Sequence, residues 1–268
     1  MKYAIICPEK DPAAIGVHKA LTEEFNFKKT ITNYEGGAVY GNGGAKLYTT
    51  GKDSIACDNI DGDIDADIFI FATRHQGAAG VPLFSTHSQG NWGKADFGGK
   101  PRELGTAPAA HLKHALRKLE EFNTIGFDVV QEATHHGPSI SKPCMFIEVG
   151  STGKEWVRHD AAKIVARAIA SLVSDEVENV QSAIGIGGPH HCPNFRKIML
   201  GENISVAHVC AKYALENLDE EMLKQAIERT MPRAGMIILD WKGLGDAKQR
   251  IKALAEQSGL EVRRTSEF

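Results

Sequence analysis

The chain has 268 residues, of which 42% are hydrophobic and 24% are charged. A chain of this length can bury roughly 70% of its unfolded surface, so it requires no disulfide staples. The 31 Lys and Arg against 34 Asp and Glu give a net charge of −3. That balance excludes nucleic-acid binding through overall charge, so any such binding requires a local basic patch.

Membrane and secreted classes are also disfavoured. No run of 18 apolar residues occurs, so we expect no membrane-spanning helix. The apolar stretch within Met1–Pro8 is too short for a signal peptide and is typical of a first buried strand. The cysteines are odd in number and form no CxxC pair, which favours reduced thiols in a cytoplasmic protein; they are Cys7, Cys57, Cys144, Cys192 and Cys210.

Strand-length apolar segments alternate with helical segments, which predicts a single α/β domain over residues 1–268. We expect a mixed, mostly parallel sheet flanked by helices. The predicted strands are Tyr3–Cys7, Lys46–Thr50, Asp67–Ala72, Val81–Thr86, Phe127–Glu132, Met145–Val149, Ser182–Ile186, Ser205–Val209, Met236–Leu239 and Leu260–Arg263. The predicted helices are Pro12–Glu24, Ala107–Phe122, Lys154–Val173, Glu220–Arg229 and Asp246–Gln257.

Local residues support several of these boundaries. Pro12 suits a first helical turn, and Asp219 is a suitable N-cap. Thr152 and Glu155 form a capping-box pattern that opens the helix predicted through Val173. Phe69–Ala72 is apolar throughout, as expected of a strand covered on both faces.

Two glycine-rich stretches interrupt the pattern. The long segment His87–Thr106 includes Asn91-Trp92 and Arg102-Glu103, so we interpret it as an active-site loop at about residues 87–106 rather than a disordered segment. The stretch Gly36–Gly51 lacks the phosphate-loop pattern and the strand–turn–helix setting of a dinucleotide site. A turn or mobile hairpin is the favoured interpretation there.

Histidine and acidic residues follow several predicted strands. In parallel α/β sheets the loops beyond the carboxyl ends of strands form the active crevice. Five strand ends would therefore direct side chains toward one rim: Arg74 and His75, His87, Glu132 with His135 and His136, Glu148, and His190 with His191. Imidazole and carboxylate are the usual zinc ligands, and a catalytic site needs three of them. No HExxH spacing occurs, so the metal hypothesis depends on convergence in the fold.

Other assignments for reactive residues remain open. Cys144, Cys192, Ser88 and Ser139 lie near the His residues and are less favoured nucleophile candidates. His111 and His114 lie three residues apart on a predicted helix and favour a polar, solvent-facing surface. Residues 94–118 are basic, which fits either a phosphate-binding patch beside the His rim or an ordinary solvated helix face.

Six segments in this order resemble the archaeal and plant D-aminoacyl-tRNA deacylase family. They are Thr73-Arg74-His75, Thr86–Trp92, Gly99–Leu104, Glu132–Ser139, Glu148–Thr152 and Gly187–His190. The resemblance covers essentially the whole chain. It implies a phosphorylase/hydrolase-like α/β fold and hydrolysis of the ester between a D-amino acid and the 3′-terminal ribose of tRNA. It also implies zinc dependence, with two ions per subunit, and no obligate protein partner is indicated.

Roles within this reaction are assigned as hypotheses. The metal ligands are expected among His87, His135, His136 and His190. The catalytic group is expected to comprise Glu132, His135, His136 and Glu148. Substrate binding is assigned to Arg74, His75, Asn91, Trp92, Arg102, Lys113 and Arg117. Among these, Arg74 and Arg102 are expected to bind the terminal phosphate or the oxyanion. Trp92 is expected either to stack on the terminal adenine or to anchor the loop as a core residue. Rejection of the L enantiomer is expected to be steric.

Two rival functions come from other classes. One is a metal-independent nucleoside- or phosphate-binding enzyme that uses Arg74 and His75 for phosphate. The other is a non-catalytic RNA-binding module, which the dense His and Glu pattern disfavours, because binding alone needs cations and aromatics.

Overall fold

The computed structural model describes residues 1–268 and contains sixteen strands and seven α-helices. The strands are β1 Tyr3–Pro8, β2 Lys28–Tyr34, β3 Gly37–Asn42, β4 Ala45–Thr50, β5 Ile68–Gln76, β6 Leu83–His87, β7 Gly90–Asn91, β8 Glu103–Leu104, β9 Ala107–Pro108, β10 Asp128–Gln131, β11 Cys144–Ser151, β12 Gln181–Ile186, β13 Ile204–Cys210, β14 Thr230–Met231, β15 Met236–Leu239 and β16 Glu261–Arg264. The helices are α1 Pro12–Glu24, α2 Ala109–Phe122, α3 Gly153–Trp156, α4 His159–Ser174, α5 Pro193–Gly201, α6 Glu220–Glu228 and α7 Lys248–Gln257.

Eight strands form one large mixed sheet in the order β10-β6-β11-β5-β1-β4-β3-β2. β1 is parallel to β4 and β5, and β5 is parallel to β11. β6 is antiparallel to β11 and parallel to β10. Six residues, 77–82, separate β5 from β6. Because a parallel crossover needs roughly a dozen residues, β6 returns in the opposite direction. The mixed, mostly parallel sheet flanked by helices is confirmed.

A second sheet of four parallel strands has the order β13-β12-β15-β16. The sequence analysis did not separate it from the large sheet. The two sheets meet where the segments that follow β6 and β10 contact β13: the amide of Thr134 donates to Val209 O at 3.0 Å, and Ser88 Oγ donates to Ala207 O at 2.9 Å. This junction brings the loop after β12 beside the segment that follows β10.

The two faces of the large sheet bury different layers. One face packs on helices α1, α2 and α4 and belongs to a core of 47 buried residues. The opposite face carries a smaller core that includes Phe71 and Phe146, whose rings stack at 4.9 Å. Phe69–Ala72 contributes to both faces and is fully buried, which confirms that this strand is covered on both sides.

Several predicted boundaries hold and others are corrected. Asp11 caps α1 by accepting from the amides of Ala13 and Ala14, and the Thr152–Glu155 capping box is present. The single helix predicted over Lys154–Val173 is wrong, because the extended backbone at Arg158 separates α3 from α4. The Gly36–Gly51 stretch forms the hairpin of β3 and β4 with its short turns, and α5 was not predicted.

The five cysteines are free and buried, and no helix has the length and apolarity needed to cross a membrane.

His111 corrects the expectation of a solvent-facing α2 surface. It is buried, with Nε2 at 3.2 Å from the Tyr3 hydroxyl, and His114 Nε2 lies 3.1 Å from Ser171 Oγ. This side of α2 contacts Tyr3 of β1 and packs on α4. Burial, together with the neighbouring His114, lowers the pKa of His111 to about 4.

We therefore expect His111 to reduce stability in acid. The unfolded chain binds this proton near pH 6.5 and the folded chain only near pH 4, so stability falls as pH decreases between those values, by at most about 3 kcal/mol. His111→Gln should remove this contribution. Urea unfolding between pH 4 and 7.5 should show a shallower acid loss in the variant, whereas parallel curves would contradict the assignment.

Candidate active site

The candidate site extends one face of the large sheet beyond its apolar core. The strand register places Thr73 of β5 beside Glu148 of β11, and Glu148 beside Ser85 of β6. Because side chains alternate across a strand, His75 and His87 point to this same face. His87 stacks on Phe146 with ring centres 4.9 Å apart. Along β5 and β11 the phenylalanines of this face, Phe71 and Phe146, are thus followed by polar side chains, and β6 adds Ser85 and His87.

The side chains predicted to meet at one rim of the sheet do converge, but they meet across a face of the sheet. The carboxyl ends of β6 and β10 lie opposite those of β5 and β11, because the two pairs run antiparallel. His75, near the end of β5, contacts Glu132, which follows β10, across the face of the sheet. The side chains therefore meet across the sheet face, and His190 joins them from the second sheet.

Glu132 is the hub of the cluster. Its carboxylate is fully buried, with Oε1 at 2.9 Å from His75 Nδ1 and Oε2 at 2.8 Å from His190 Nε2. His135 Nε2 lies 3.7 Å from the same Oε2. Burial alone would raise the pKa of Glu132, but the bonds to His190 and His75 outweigh it and hold the pKa well below the usual value. Glu132 is therefore an ionised carboxylate at neutral pH.

Glu148 is a second buried carboxylate beside the same histidine. It accepts a hydrogen bond from Thr73 Oγ1 at 2.7 Å, and its Oε2 lies 3.6 Å from His75 Nδ1. Burial disfavours the charge of His75, but the bonds to Glu132 and Glu148 prevail and raise its pKa to about 10. The resulting imidazolium allows two buried carboxylates to remain ionised together.

Three histidines present bare nitrogens to one point. The Nδ1 atoms of His87, His135 and His136 each face a backbone carbonyl, at 3.2, 2.8 and 2.6 Å respectively. Such a contact fixes the proton on Nδ1 and leaves Nε2 free as a ligand, which is the usual arrangement around a protein-bound metal. His87 Nε2 is buried and has no hydrogen-bond partner. The donor set therefore fits a zinc ion.

Electrostatics favour neutral imidazoles at His135 and His136, whereas at His87 burial is outweighed by the nearby carboxylate of Glu148, which raises the pKa of this histidine. Burial, followed by the nearby His87 and His136, lowers the pKa of His135 well below its usual value. Burial and His87 lower the pKa of His136 to about 4. A neutral imidazole offers the lone pair that metal ligation requires.

Three groups of potential ligands have donor atoms within 4.8 Å of one another. The first is His87, His135 and His136, which includes three of the four predicted ligands. The others contain Glu132, either with His75 and His191 or with His135 and His190. The first two groups share no residue, so the site has room for two ions. His191 was not predicted as a ligand, although its position next to His190 was a visible signal.

A cavity of about 630 Å³ opens over these groups. Arg74 lines it, half-buried, with its guanidinium 3.6 Å from Asp11 and 3.9 Å from Asp53. Phe97, which the sequence analysis did not select, lies at the cavity with 69% of its surface exposed. An aromatic residue within a glycine-rich loop was the signal for it. The cavity is large enough for a nucleoside-sized group.

The other residues of the glycine-rich loop have structural contacts. Asn91 Nδ2 donates to the carbonyls of Gly98 and Lys100 and holds the loop closed. Trp92 is buried, and its indole donates to Val209 O at 3.1 Å, so it anchors the loop in the core and does not face the cavity. Arg102 forms ion pairs with Asp219 at 2.8 Å and Glu221 at 3.2 Å, and it does not line the cavity.

Helix α2 does not provide the basic patch expected beside the His cluster. Lys113 is buried, and its ammonium donates to the carbonyls of Met199, Glu202 and Ile204 around the end of α5. Arg117 pairs with Glu178 at 3.2 Å. Lys118 pairs with Glu121 at 3.0 Å. The cations of this helix are therefore satisfied within the protein.

We expect Lys113→Met to lower stability. The variant would leave the carbonyls at the end of α5 without their donor, at a cost of about 1–3 kcal/mol. Arg117→Ala on the same helix is the control and should change the unfolding free energy by less than about 0.5 kcal/mol, because it is a surface residue. Chemical denaturation compares the two, and equal effects would contradict the structural role of Lys113.

The alternative nucleophiles are not poised for attack. Burial raises the pKa values of Cys144 and Cys192 well above the usual range, which disfavours thiolates. Ser88 donates to the carbonyl of Ala207, and Ser139 donates to Glu103. Neither Ser88 nor Ser139 hydroxyl bonds to a histidine.

Comparisons with known proteins point to one family. A family model described as D-aminoacyl-tRNA deacylase matches residues 63–263. A D-aminoacyl-tRNA deacylase of Thermococcus onnurineus is 38% identical, over 96% of this chain and 97% of that protein. The one from Archaeoglobus fulgidus is 34% identical, over 96% and 94%.

A crystal structure of a conserved protein of unknown function has the same fold. Its TM-score is 0.91 at 33% identity, and the match covers 99% of this chain and 96% of that one. The resemblance drawn from the motifs is confirmed: the chain belongs to the D-aminoacyl-tRNA deacylase family.

Proposed function

We propose that this protein hydrolyses the ester of D-aminoacyl-tRNA and releases the free D-amino acid and tRNA, which keeps D-amino acids out of translation. The observation that carries the proposal is the buried Glu132 next to His135, which converges with His87 and His136 on one point, under a cavity that fits a terminal nucleoside. Family membership agrees with this reaction and not with the nucleoside- or phosphate-binding alternative. The substrate implies a cytoplasmic site of action.

We further propose that zinc is the cofactor. His87, His135 and His136 would hold the ion that serves the reaction, which leaves Glu132 as the base; a second ion would bind only where Glu132, His75 and His191 act as ligands instead. When bound, zinc supplies Lewis acidity that polarises the ester carbonyl and acidifies water. The donor set supports this choice, because imidazole and carboxylate are the usual ligands of catalytic zinc.

The protein's own residues supply positioning and proton transfer. Glu132 would accept the proton of the attacking water at a carboxylate oxygen, while His190 fixes that group from the second sheet. Water adds to the carbonyl carbon, the bond to the ribose oxygen breaks, and Glu132 returns the proton to that oxygen. Glu148 holds His75 in place, and Arg74 at the cavity wall is the candidate for contact with the terminal phosphate.

The test is hydrolysis of matched D- and L-tyrosyl-tRNA, before and after chelator treatment, with zinc added back. We expect D-selective hydrolysis that the chelator removes and zinc restores. Selective hydrolysis by protein shown by elemental analysis to be metal-free would retain the reaction and reject zinc. No hydrolysis of either ester by folded, zinc-loaded protein would reject the reaction.

A further inference from the structure

We propose that the acceptor arm of tRNA binds at the carboxyl edge of the second sheet. The surface, which we call the Trp241 patch, consists of Lys212, Tyr213, Trp241, Lys242, Lys248 and Arg264. This inference rests on the proposed function and identifies the RNA-binding surface that serves the same site.

The patch is continuous with the catalytic cluster. The Tyr213 hydroxyl lies 3.1 Å from His190 Nδ1, and 59% of the tyrosine surface is exposed. The preceding residue, Lys212, is anchored by its amide to Gly188 O at 2.9 Å. Its side chain passes over Gly245, where a Cβ would lie 3.4 Å from Lys212 Cε. The path from His190 therefore leads directly to the segment that carries Trp241 and Lys242.

Trp241 is flanked by cations at the far end of the patch. The Arg264 guanidinium lies 4.1 Å from the indole ring centre, and Lys248 Nζ lies 5.8 Å from it. Glu267, three residues after Arg264, bonds to the Arg264 amide and approaches Arg263. Positive groups interleaved with aromatic rings are typical of surfaces that bind an RNA backbone and its exposed bases.

Charge pairing distinguishes this patch from helix α2. None of Lys212, Lys242 and Lys248 has a carboxylate oxygen within 4.0 Å, and neither has Arg264, whereas Arg117 and Lys118 of α2 both do. An unpaired cation can bind phosphate without first breaking an ion pair. The Trp241 patch therefore offers the free positive charge that the sequence analysis expected from residues 94–118.

The test measures binding of a tRNA transcript that carries no amino acid, at several salt concentrations, so it is independent of hydrolysis. The triple variant Lys212→Gln, Lys242→Gln, Lys248→Gln should bind at least about tenfold more weakly than the wild type and show a salt slope shallower by about two to three. The control triple variant Lys28→Gln, Lys29→Gln, Lys46→Gln removes the same charge from exposed positions on β2 and β4, at the opposite edge of the large sheet. It should bind as the wild type does.

Tyr213 tests the aromatic part of the surface. Tyr213→Phe keeps the ring and should retain RNA affinity, whereas Tyr213→Ala should weaken it by about 5- to 100-fold. Thermal unfolding of each variant establishes that it is folded. Wild-type affinity and salt slope in the first triple variant would overturn the proposal, as would equal weakening in the control. A protein that binds tRNA through this patch but fails to hydrolyse the D-ester would reject the proposed function alone.

Discussion

Glu132→Gln is expected to lower kcat for D-aminoacyl-tRNA hydrolysis by about 10²–10⁴-fold, since the amide cannot accept the proton of water. The substitution preserves shape and leaves the sheet packing intact. Glu178→Gln, at an exposed ion pair on the α2 side, is the control and should keep full activity. Steady-state hydrolysis of D-tyrosyl-tRNA compares the two variants with the wild type.

A second readout separates loss of the base from general damage. In the zinc-free wild type, the carboxylates around His75 raise its pKa to about 10, and in Glu132→Gln this pKa should fall. The imidazole resonances followed by NMR against pH measure the change. Activity within about threefold of the wild type, together with the expected pKa fall, would show that Glu132 is not the proton acceptor.

His136→Asn is expected to remove one zinc equivalent per chain and most of the activity, because it deletes one of three ligands that converge on one point. His136 has φ of 46°, a left-handed conformation that Asn tolerates better than Ala does. Asn therefore separates ligand loss from backbone strain. Elemental analysis after dialysis gives the zinc content, and D-ester hydrolysis gives the activity.

The control for this prediction is His159→Ala, an exposed histidine on α4 that contacts only Glu24 among the carboxylates. It should leave zinc content and activity unchanged. A His136→Asn protein that keeps the zinc content of the wild type would place the ion elsewhere, and the groups around Glu132 would then become the first candidates.

The individual elements of the fold followed from local sequence signals. Asp11 and Pro12 define the start of α1, and unbroken apolar runs such as Phe69–Ala72 identify strands covered on both faces. The hairpin of β2 and β3 lacked such a signal, because most of its residues are exposed or half-exposed and polar. The break at Arg158 is a backbone feature that helical periodicity does not reveal.

The candidate site was only partly accessible to sequence reasoning. His87, His135 and His136 were selected because they follow predicted strands, and the fold brings their rings within 5 Å of one another. The role of Lys113 was not accessible, and neither was the choice between the two roles offered for Trp92, because residue type does not show whether a side chain faces a cavity or a carbonyl in the core. Both side chains donate hydrogen bonds to backbone carbonyls of residues about 90 to 120 positions away.

By itself, the sequence determined the residue types, the local elements and the family, since these depend on neighbours along the chain and on motif order. Only the tertiary structure decided that β6 is antiparallel to β11, that a second sheet supplies His190, and that Glu132 contacts this histidine from the large sheet. Those relations arise from long-range strand register, and each joins segments separated by more than fifty residues. The chemistry of the site depends on distances of about 3 Å that only this register creates.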